Sequence, residues 1–332
     1  MPIQAAIIGL NKIGSSLGLA FAQHPEVLTC VGYDEEPKVA REAVKIGAIT
    51  KAFLALHRCV GEAQVIILAC PLDEVQDNLA LIAAHAPKNA VVIDCSPIKT
   101  EVTQWAQEIL PGNMYFTGWL PALNPQHVHD PGVGIEAARA DLFENSYIGI
   151  TDPPGTPEDV LTLSSDLVTL LGAKPFFIDS VEADGLIAMG QELPRAAALA
   201  LLLAAVDSSG WFEARKLAGE DFAKATQPIL NLPEREELGL SMLLNRENLT
   251  RLIDDLVGAL MRLRGRLEDG DADALKEDLG HALHQRVLWL EQRRLMNWQA
   301  PGEEDEPVER PSLLGGWLGS CFKRGKDSGD QD

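Results

Sequence analysis

The chain has 332 residues, of which 46% are hydrophobic and 23% charged. This is the composition of a folded globular protein and excludes an intrinsically disordered one. Its 28 Lys and Arg residues against 49 Asp and Glu residues give a net charge of −21. Nucleic-acid phosphates and anionic membrane surfaces repel so acidic a protein, so we expect no nucleic-acid partner.

The cysteines and the N-terminal residues bear on location. The five cysteines are odd in number and form no CxxC pair, which argues against a disulfide framework or a zinc site and favours a reducing, cytoplasmic compartment. Residues 1–6 lack the basic region of a signal peptide. The longest uninterrupted apolar run, 196–206, is too short to cross a bilayer, so we expect no integral membrane segment.

The first 180 residues alternate short apolar runs with helical patterns. Unlike half-exposed strands, these runs are continuously apolar, as parallel strands covered on both faces are. They lie at 3–8, 27–33, 64–69, 90–95, 114–117 and 175–178. Strand and helix in alternation predict an α/β fold, with a doubly wound Rossmann-type domain over residues 1–180.

The strand pattern ends near residue 181. Leucines recur at helical spacing in 252–267 and again in 275–290, which predicts an all-helical domain over 181–297. Broad apolar faces on a small helical domain favour a homodimer through that domain. Residues 298–332 combine an acidic run with a short apolar and basic end, and we expect them to form a flexible tail.

The strongest local motif closes the first strand and opens a helix at 7–18, IIGLNKIGSSLG. A dinucleotide fold needs a glycine for the tight turn, a bare backbone near the pyrophosphate and a glycine for helix packing. Gly9 and Gly14 fill the first and third roles, whereas Asn11 places a side chain where the pyrophosphate approaches. Amides at the helix start hold the phosphates. The predicted cofactor-binding residues are therefore Gly9, Leu10, Asn11, Lys12, Ile13 and Gly14.

Asp34 ends the second predicted strand, 25 residues after Gly9. A carboxylate there can accept hydrogen bonds from the ribose hydroxyls of NAD and repels the extra phosphate of NADP. Glu35 and Glu36 add negative charge, so NAD is favoured over NADP. The alternative is an ordinary acidic residue at a strand-end turn.

Several segments together resemble the prephenate/arogenate dehydrogenase family of tyrosine biosynthesis. In chain order they are IIGLNKIGSSLGLA, VGYD, VIILACPLDEV, VIDCSPIKTEV, GIEAARADLFENSYIGI, LLGAKPFFIDSVEADGLIAMGQELPRAAALAL and LAGEDFAKAT. The resemblance covers roughly residues 3 to 295. It implies an NAD(P)-binding domain followed by a helical dimerisation domain, and a reaction in which a hydride leaves for nicotinamide while carbon dioxide is lost. It also places Cys70 and Pro71 beside the nicotinamide ribose.

The chain departs from this family at its polar site positions. Leu120 stands where the family has its catalytic His, and Gln227 stands where it has a substrate-binding Arg. The His-Asp pair of the family becomes Ala183-Asp184. Its Ser-His-Leu-Pro segment becomes Gln191-Glu192-Leu193-Pro194. Leucine cannot exchange a proton, so these departures argue against prephenate turnover by the usual mechanism.

Four other residues are candidates for the lost functions. Ser96 and His127 are the catalytic candidates, because one follows a predicted strand and the other lies a few residues beyond Leu120. Lys99 and Arg195 are the candidates for binding substrate carboxylates. The alternatives are a solvated histidine and a charge-paired arginine on the surface. No metal site is expected.

The sequence thus predicts an NAD-dependent oxidoreductase of this family with a small-molecule substrate. Two other functions remain open at this point. One is a dinucleotide-binding dimer without catalysis, and the other is a dehydrogenase for a different small hydroxyacid.

Overall fold

The computed structural model describes residues 2–130, 132–229 and 235–298, without the side chains of 235–238. The tail expected at 298–332 therefore lies, from residue 299 onward, outside the described residues. The chain divides into two compact units, one ending at Ala183 and the other formed by Asp184–Asn297.

The first unit is built on one eight-stranded sheet. Its strands have the order β3-β2-β1-β4-β5-β6-β7-β8, and neighbouring strands are parallel except for the antiparallel pair β6 and β7. The strands are β1 (Ile3–Ile8), β2 (Leu28–Tyr33), β3 (Lys51–Ala52), β4 (Val65–Leu68), β5 (Val91–Asp94), β6 (Tyr115–Pro121), β7 (Tyr147–Thr151) and β8 (Lys174–Phe177). The predicted α/β Rossmann-type fold is confirmed.

Six α-helices connect these strands. They are α1 (Lys12–Phe21), α2 (Pro37–Lys45), α3 (Leu56–Val60), α4 (Val75–His85), α5 (Thr100–Ile109) and α6 (Glu158–Leu170). Short 3-10 turns lie at Leu72–Glu74, Pro125–His127 and Ile135–Ala137. Every residue of β4 and β5 is buried, which explains why these strands are continuously apolar up to Asp94.

Two strands have no counterpart among the predicted apolar runs. β3 has two residues, too few for a periodic pattern. β7 is interrupted by Gly149, where a Cβ atom would lie 3.1 Å from the Phe176 ring on β8. The glycine is therefore a packing requirement between neighbouring strands, although it weakens the strand pattern in the sequence.

The second unit is helical throughout its described residues. Helix α7 (Ser180–Ile187) continues through a π-helical turn, Ala188–Glu192, into α8 (Leu193–Val206). The remaining helices are α9 (Trp211–Ala214), α10 (Glu220–Thr226), α11 (Arg235–Leu244), α12 (Arg246–Glu268) and α13 (Ala272–Leu295), with a 3-10 turn at Gln227–Ile229. Asp271 caps α13 by accepting a hydrogen bond from the Ala274 amide at 3.0 Å.

The continuous stretch Ser180–Val206 is longer than the apolar run seen in the sequence. With 27 residues it meets, by length and composition, the criteria for a bilayer-spanning helix, and 22% of its most apolar window is buried. It is the single stretch of this kind in the described part of the chain. Its interior contains a fully buried acidic residue, Glu192, and an exposed proline, Pro194.

Candidate functional site

The turn between β1 and α1 lies at the point where the strand order of the sheet reverses. Gly9 has a φ of +87°, and a Cβ atom there would lie 2.5 Å from the Ala69 carbonyl oxygen after β4. A Cβ atom on Gly14 would lie 1.9 Å from the carbonyl oxygen of Gly9. Both glycines are therefore required by close backbone contact. Ligands of doubly wound sheets bind in the crevice at such a reversal, here between β1 and β4.

Asn11 is the N-cap of α1 and spans this crevice. Its backbone is extended, with a φ of −69°, so it does not use the left-handed conformation that asparagine tolerates. Its Oδ1 atom accepts hydrogen bonds from the amides of Ile13 at 2.9 Å and Gly14 at 3.1 Å. Its Nδ2 atom donates to the Ala69 carbonyl oxygen at 2.8 Å. The side chain thus occupies two of the amides that the sequence assigns to a pyrophosphate.

The connection between β6 and β7 contacts the start of α1. Lys12 Nζ donates to the Gly132 carbonyl oxygen at 3.0 Å, and the Arg139 amide donates to Ser16 Oγ at 2.9 Å. Arg139 also pairs with Asp130 at 2.9 Å. The first two turns of α1 are therefore hydrogen-bonded to this connection, one through the Lys12 ammonium and the other through the Ser16 hydroxyl.

Asp34 lies at the end of β2 and contacts the glycine turn. Its Oδ2 atom accepts from the Leu10 amide at 2.7 Å, and its Oδ1 atom accepts from the Glu36 amide at 2.9 Å. Each carboxylate oxygen has a second lone pair, so ribose hydroxyls can still donate to it. Burial raises the pKa of the neighbouring Tyr33, and the carboxylates of Glu35, Glu74 and Asp34 raise it further. The field at this strand end is negative.

Cys70 and Pro71 follow β4 at the same edge of the sheet. Cys70 is buried, its Sγ atom accepts from Asn78 Nδ2 at 3.2 Å, and burial raises the pKa of its thiol. A thiol held in the neutral form is a poor nucleophile, so the side chain fills space beside the turn. The structure thus brings all the predicted cofactor-binding residues to the carboxyl ends of β1, β2 and β4.

Asp94, Ser96 and Lys99 form a buried cluster at the end of β5. Lys99 Nζ lies 2.5 Å from Asp94 Oδ2 and donates to the Asp94 carbonyl oxygen at 2.9 Å. Ser96 Oγ donates to Asp94 Oδ2 at 2.7 Å. Both charged side chains are fully buried. Because Lys99 is already paired with Asp94, its role in binding a substrate carboxylate, like the catalytic role of Ser96, stays a prediction.

Gly118 on β6 provides the space for this lysine. It is the register partner of Asp94, and a Cβ atom there would lie 2.8 Å from Lys99 Cδ and 2.4 Å from Thr151 Oγ1. Two residues later, Leu120 is partly buried at the position of the missing histidine. His127 lies in the connection after β6, with Nε2 3.0 Å from Asp141 Oδ2. The catalytic role of His127 also stays a prediction.

The helical unit contains a buried polar network around Glu192, which stands in the segment where the resembled family has Ser-His-Leu-Pro but was not predicted as a site residue. Glu192, at the end of the π-helical turn, is fully buried. Its carboxyl accepts hydrogen bonds from Ser241 Oγ and, at 3.0 Å, from Asn245 Nδ2. Asn245 Nδ2 also donates to the Asp184 carbonyl oxygen at 2.9 Å, and Asn248 Nδ2 donates to Asn245 Oδ1 at 2.9 Å.

Electrostatics sets this glutamate apart. Burial raises the pKa of Glu192, opposed by the hydrogen bonds from Ser241 and Asn245 and by the charge of Arg195, while Asp184 raises it further. Arg195 is partly buried on α8, and no ion pair of its guanidinium occurs among the described residues. The sequence signal for this network was the replacement of the family's Ser-His-Leu-Pro segment by Gln191-Glu192-Leu193-Pro194. π-Helical turns are frequent at functional sites.

Comparison with known proteins gives the family. Residues 17–176 match the model of the prephenate dehydrogenase nucleotide-binding domain. The chain is also 25% identical over 274 residues to the prephenate dehydrogenase of Bacillus subtilis (strain 168), covering 81% of this chain and 71% of that protein. Residues 17–176 therefore belong to the nucleotide-binding domain of the prephenate dehydrogenase family. The resemblance noted in the sequence is thereby confirmed, and the first unit is the nucleotide-binding domain of this family.

Other relatives extend over both units. The cyclohexadienyl dehydrogenase of Zymomonas mobilis is 23% identical over 277 residues, covering 82% of this chain and 91% of that protein. Prephenate dehydrogenase from Aquifex aeolicus, solved with hydroxyphenyl propionate and NAD+, superposes with a TM-score of 0.76 at 19% identity over 86% of this chain and 98% of that one. Synechocystis arogenate dehydrogenase superposes with a TM-score of 0.68 at 21% identity, over 86% of this chain and 100% of that one. These structures share the fold.

Among the residues that the structure describes, no group of three or more His, Cys, Asp or Glu side chains is placed to hold a metal ion.

Proposed function

We propose that this chain is an NAD-dependent dehydrogenase of the prephenate/arogenate type. One observation carries the proposal: Gly9, Gly14 and Asp34 meet at the reversal of strand order in a nucleotide-binding domain of this family. The relatives named prephenate, arogenate and cyclohexadienyl dehydrogenase support the same reaction class.

The residues of the crevice fit an NAD molecule with one exception. The first amides of a helix have no partner within the helix, so the Lys12 amide can bind a phosphate oxygen. Asp34 retains lone pairs for the ribose hydroxyls of the adenosine. The exception is Asn11, whose carboxamide already accepts from Ile13 and Gly14.

Charge favours NAD over NADP. The 2′-phosphate of NADP would lie beside Asp34, with the exposed Glu35 and Glu36 next to it. Residues 33–37 contain no Lys or Arg, and the basic side chains that follow, Lys38 and Arg41 on α2, come after three consecutive carboxylates. Like charges this close repel each other, so we infer that NAD is the coenzyme.

The proposed chemistry is an oxidation at a ring carbon that bears a hydroxyl group. Bound NAD supplies the hydride acceptor at this site. As the hydride leaves that carbon, the hydroxyl proton is lost, the bond to the ring carboxylate breaks, carbon dioxide departs and the ring becomes aromatic. The protein's part is to hold the two reactants face to face and to take the hydroxyl proton.

The position of the missing histidine limits the rate of this reaction. Leu120 has no group that accepts a proton, and the loss of a general base costs on the order of 10²- to 10⁴-fold in rate. We therefore infer that turnover of prephenate or arogenate by this chain is slow unless another group accepts the proton.

A homodimer through the helical unit is part of the proposal. Apolar side chains are exposed on α8, α12 and α13, among them Leu201, Leu263 and Leu283. Exposed apolar area of this extent is typical of an interface. We infer that it is covered by the same surface of a second copy, and that the stretch Ser180–Val206 contributes to this interface and does not cross a membrane. The free cysteines of the described part favour a reducing, cytoplasmic compartment.

The proposal is tested by assaying the purified protein for NADH formation with NAD and either prephenate or arogenate. We expect NADH absorbance that depends on one of these substrates and is smaller with NADP. NAD binding without turnover would contradict the enzymatic proposal and indicate a non-catalytic dimer. Turnover of another small hydroxyacid alone would contradict the substrate class.

A further inference from the structure

The side chain of Asn11 lies across the crevice between β1 and β4. One end holds the first turn of α1 through the Ile13 and Gly14 amides, and the other end holds the Ala69 carbonyl oxygen beyond β4. The same crevice is where the diphosphate of a dinucleotide enters a doubly wound sheet. The Oδ1 atom of the asparagine is therefore a hydrogen-bond acceptor placed where a phosphate oxygen would accept.

Asn11 accepts hydrogen bonds from backbone amides that, at the helix N-termini of dinucleotide-binding proteins, donate to a bound phosphate. Helix N-terminal amides bind either an N-cap side chain or an anion, and one amide cannot point at both with good geometry. In this chain two amides point at the asparagine oxygen. In the protein without coenzyme, the hydrogen bonds of these two amides are therefore satisfied by the Asn11 side chain.

We propose that the Asn11 carboxamide is an internal competitor for the diphosphate of the coenzyme, so that NAD binds only when this side chain leaves the α1 amides. This inference rests on the proposed function, since it assumes a dinucleotide ligand. It makes Asn11 a residue that sets coenzyme affinity, because binding must break contacts to Ile13, Gly14 and Ala69. It also couples coenzyme affinity to the stability of the ligand-free protein, because the Asn11 side chain lowers the affinity and raises the stability.

The test is calorimetric titration of the wild-type protein and Asn11→Gly with NAD, ADP-ribose and adenosine. The glycine variant has no side chain to displace. We expect its affinity for NAD and ADP-ribose to rise on the order of tenfold, as the loss of an N-cap and a further hydrogen bond implies. Adenosine lacks the diphosphate, so its affinity should not change.

A second readout is the melting temperature of the ligand-free proteins. Asn11→Gly should melt below the wild type without ligand and gain more on addition of saturating ADP-ribose. Asp271→Gly is the matched control, because it removes the N-cap of α13 in the helical unit. It should melt slightly lower and bind ADP-ribose as the wild type does.

The outcomes separate this inference from the proposed function. If the wild type binds ADP-ribose and Asn11→Gly binds it equally or more weakly, Asn11 supports the site and the inference is overturned alone. An equal gain for adenosine would also overturn it, since the effect would not involve the diphosphate. If neither protein binds NAD or ADP-ribose, the proposed function and the inference both fail.

Discussion

At the scale of single residues, the proposed selection of NAD over NADP depends on Asp34. Its two oxygens accept hydrogen bonds from the Leu10 and Glu36 amides, and in the proposed binding mode its charge repels the 2′-phosphate of NADP. Asp34→Asn removes that charge. We expect the ratio of the dissociation constants for NADP and NAD to fall about tenfold, a change of about 1.4 kcal/mol. The ratio cancels any general loss from the altered turn.

The control for this variant is Glu35→Gln, which removes a neighbouring exposed charge. It should change the ratio less, because Glu35 does not contact the turn. Equal ratios for Asp34→Asn and the wild type, measured by fluorescence titration, would show that Asp34 has no part in coenzyme selection.

Lys99 illustrates how burial changes the energetic role of an ion pair. Its ammonium and the Asp94 carboxylate are both fully buried. Lys99→Met leaves that carboxylate uncompensated, so we expect a loss of about 3–5 kcal/mol in the free energy of unfolding by urea. The double variant Asp94→Asn with Lys99→Met should lose less, since no unpaired charge remains.

An exposed pair provides the comparison. Lys45 and Glu42 lie 2.9 Å apart on the surface of α2. Lys45→Met should cost less than about 1 kcal/mol. If Lys99→Met and Lys45→Met had the same unfolding free energy, the Asp94–Lys99 pair would not be a determinant of the fold at the end of β5.

The glycine turn was predictable from the sequence at this scale, whereas the partners of Lys99 were not. Gly9 and Gly14 belong to a local motif, in which spacing fixes geometry. The burial of the Lys99 side chain instead depends on the space beside Gly118, which is set by packing between β5 and β6. A sequence shows a lysine after a strand but not whether that lysine is buried.

At the scale of elements, the π-helical turn before α8 introduces a titratable group into an apolar helix. Folding raises the pKa of Glu192, so the folded protein binds its proton more tightly than the unfolded chain does. The resulting stabilisation is full below the unfolded pKa and is lost as the pH rises through the folded pKa.

Glu192→Gln tests this linkage. A glutamine can direct its carbonyl oxygen to Asn245 and its amide to Ser241, whose hydroxyl can accept. The variant does not titrate, so its melting temperature relative to the wild type should increase as the pH is raised from 4 to 8, on the order of several degrees. Ser241→Ala keeps the carboxyl and removes a hydrogen bond that lowers its pKa, so its stability should depend on pH at least as strongly as that of the wild type. A constant difference between Glu192→Gln and the wild type would refute a raised pKa.

Element boundaries were predictable where hydrophobic periodicity was strong. β1, β4 and β5 fall at or within a residue of the predicted ranges, because their apolar patterns reflect burial. The π-helical turn was not predictable, since its extra residue appears in the sequence only as the run Ala188–Glu192 inside a helical pattern. At this turn Glu192 is hydrogen-bonded to Ser241 on α11 and to Asn245, which lie about 50 residues away in the chain.

At the scale of the whole molecule, the proposed homodimer rests on the exposed apolar surface of the helical unit. Leu283 is 64% exposed on α13. Leu283→Glu places a charge in the proposed interface, so we expect the mass from light scattering to fall from that of a dimer towards 36.0 kDa.

A surface leucine of the nucleotide-binding unit serves as control. Leu54 is 89% exposed and lies outside the helical unit. Leu54→Glu should leave the mass of the dimer unchanged. A wild-type protein that is monomeric at micromolar concentration, or a Leu283→Glu variant that remains dimeric, would contradict the proposed interface.

Binding of NAD in the crevice between β1 and β4 is tested most directly by a calorimetric titration of the protein with millimolar NAD. We expect saturable binding of one NAD per chain, displaced by ADP-ribose and weaker for NADP. The absence of binding heat for NAD and NADP, in both the wild type and Asn11→Gly, would contradict it.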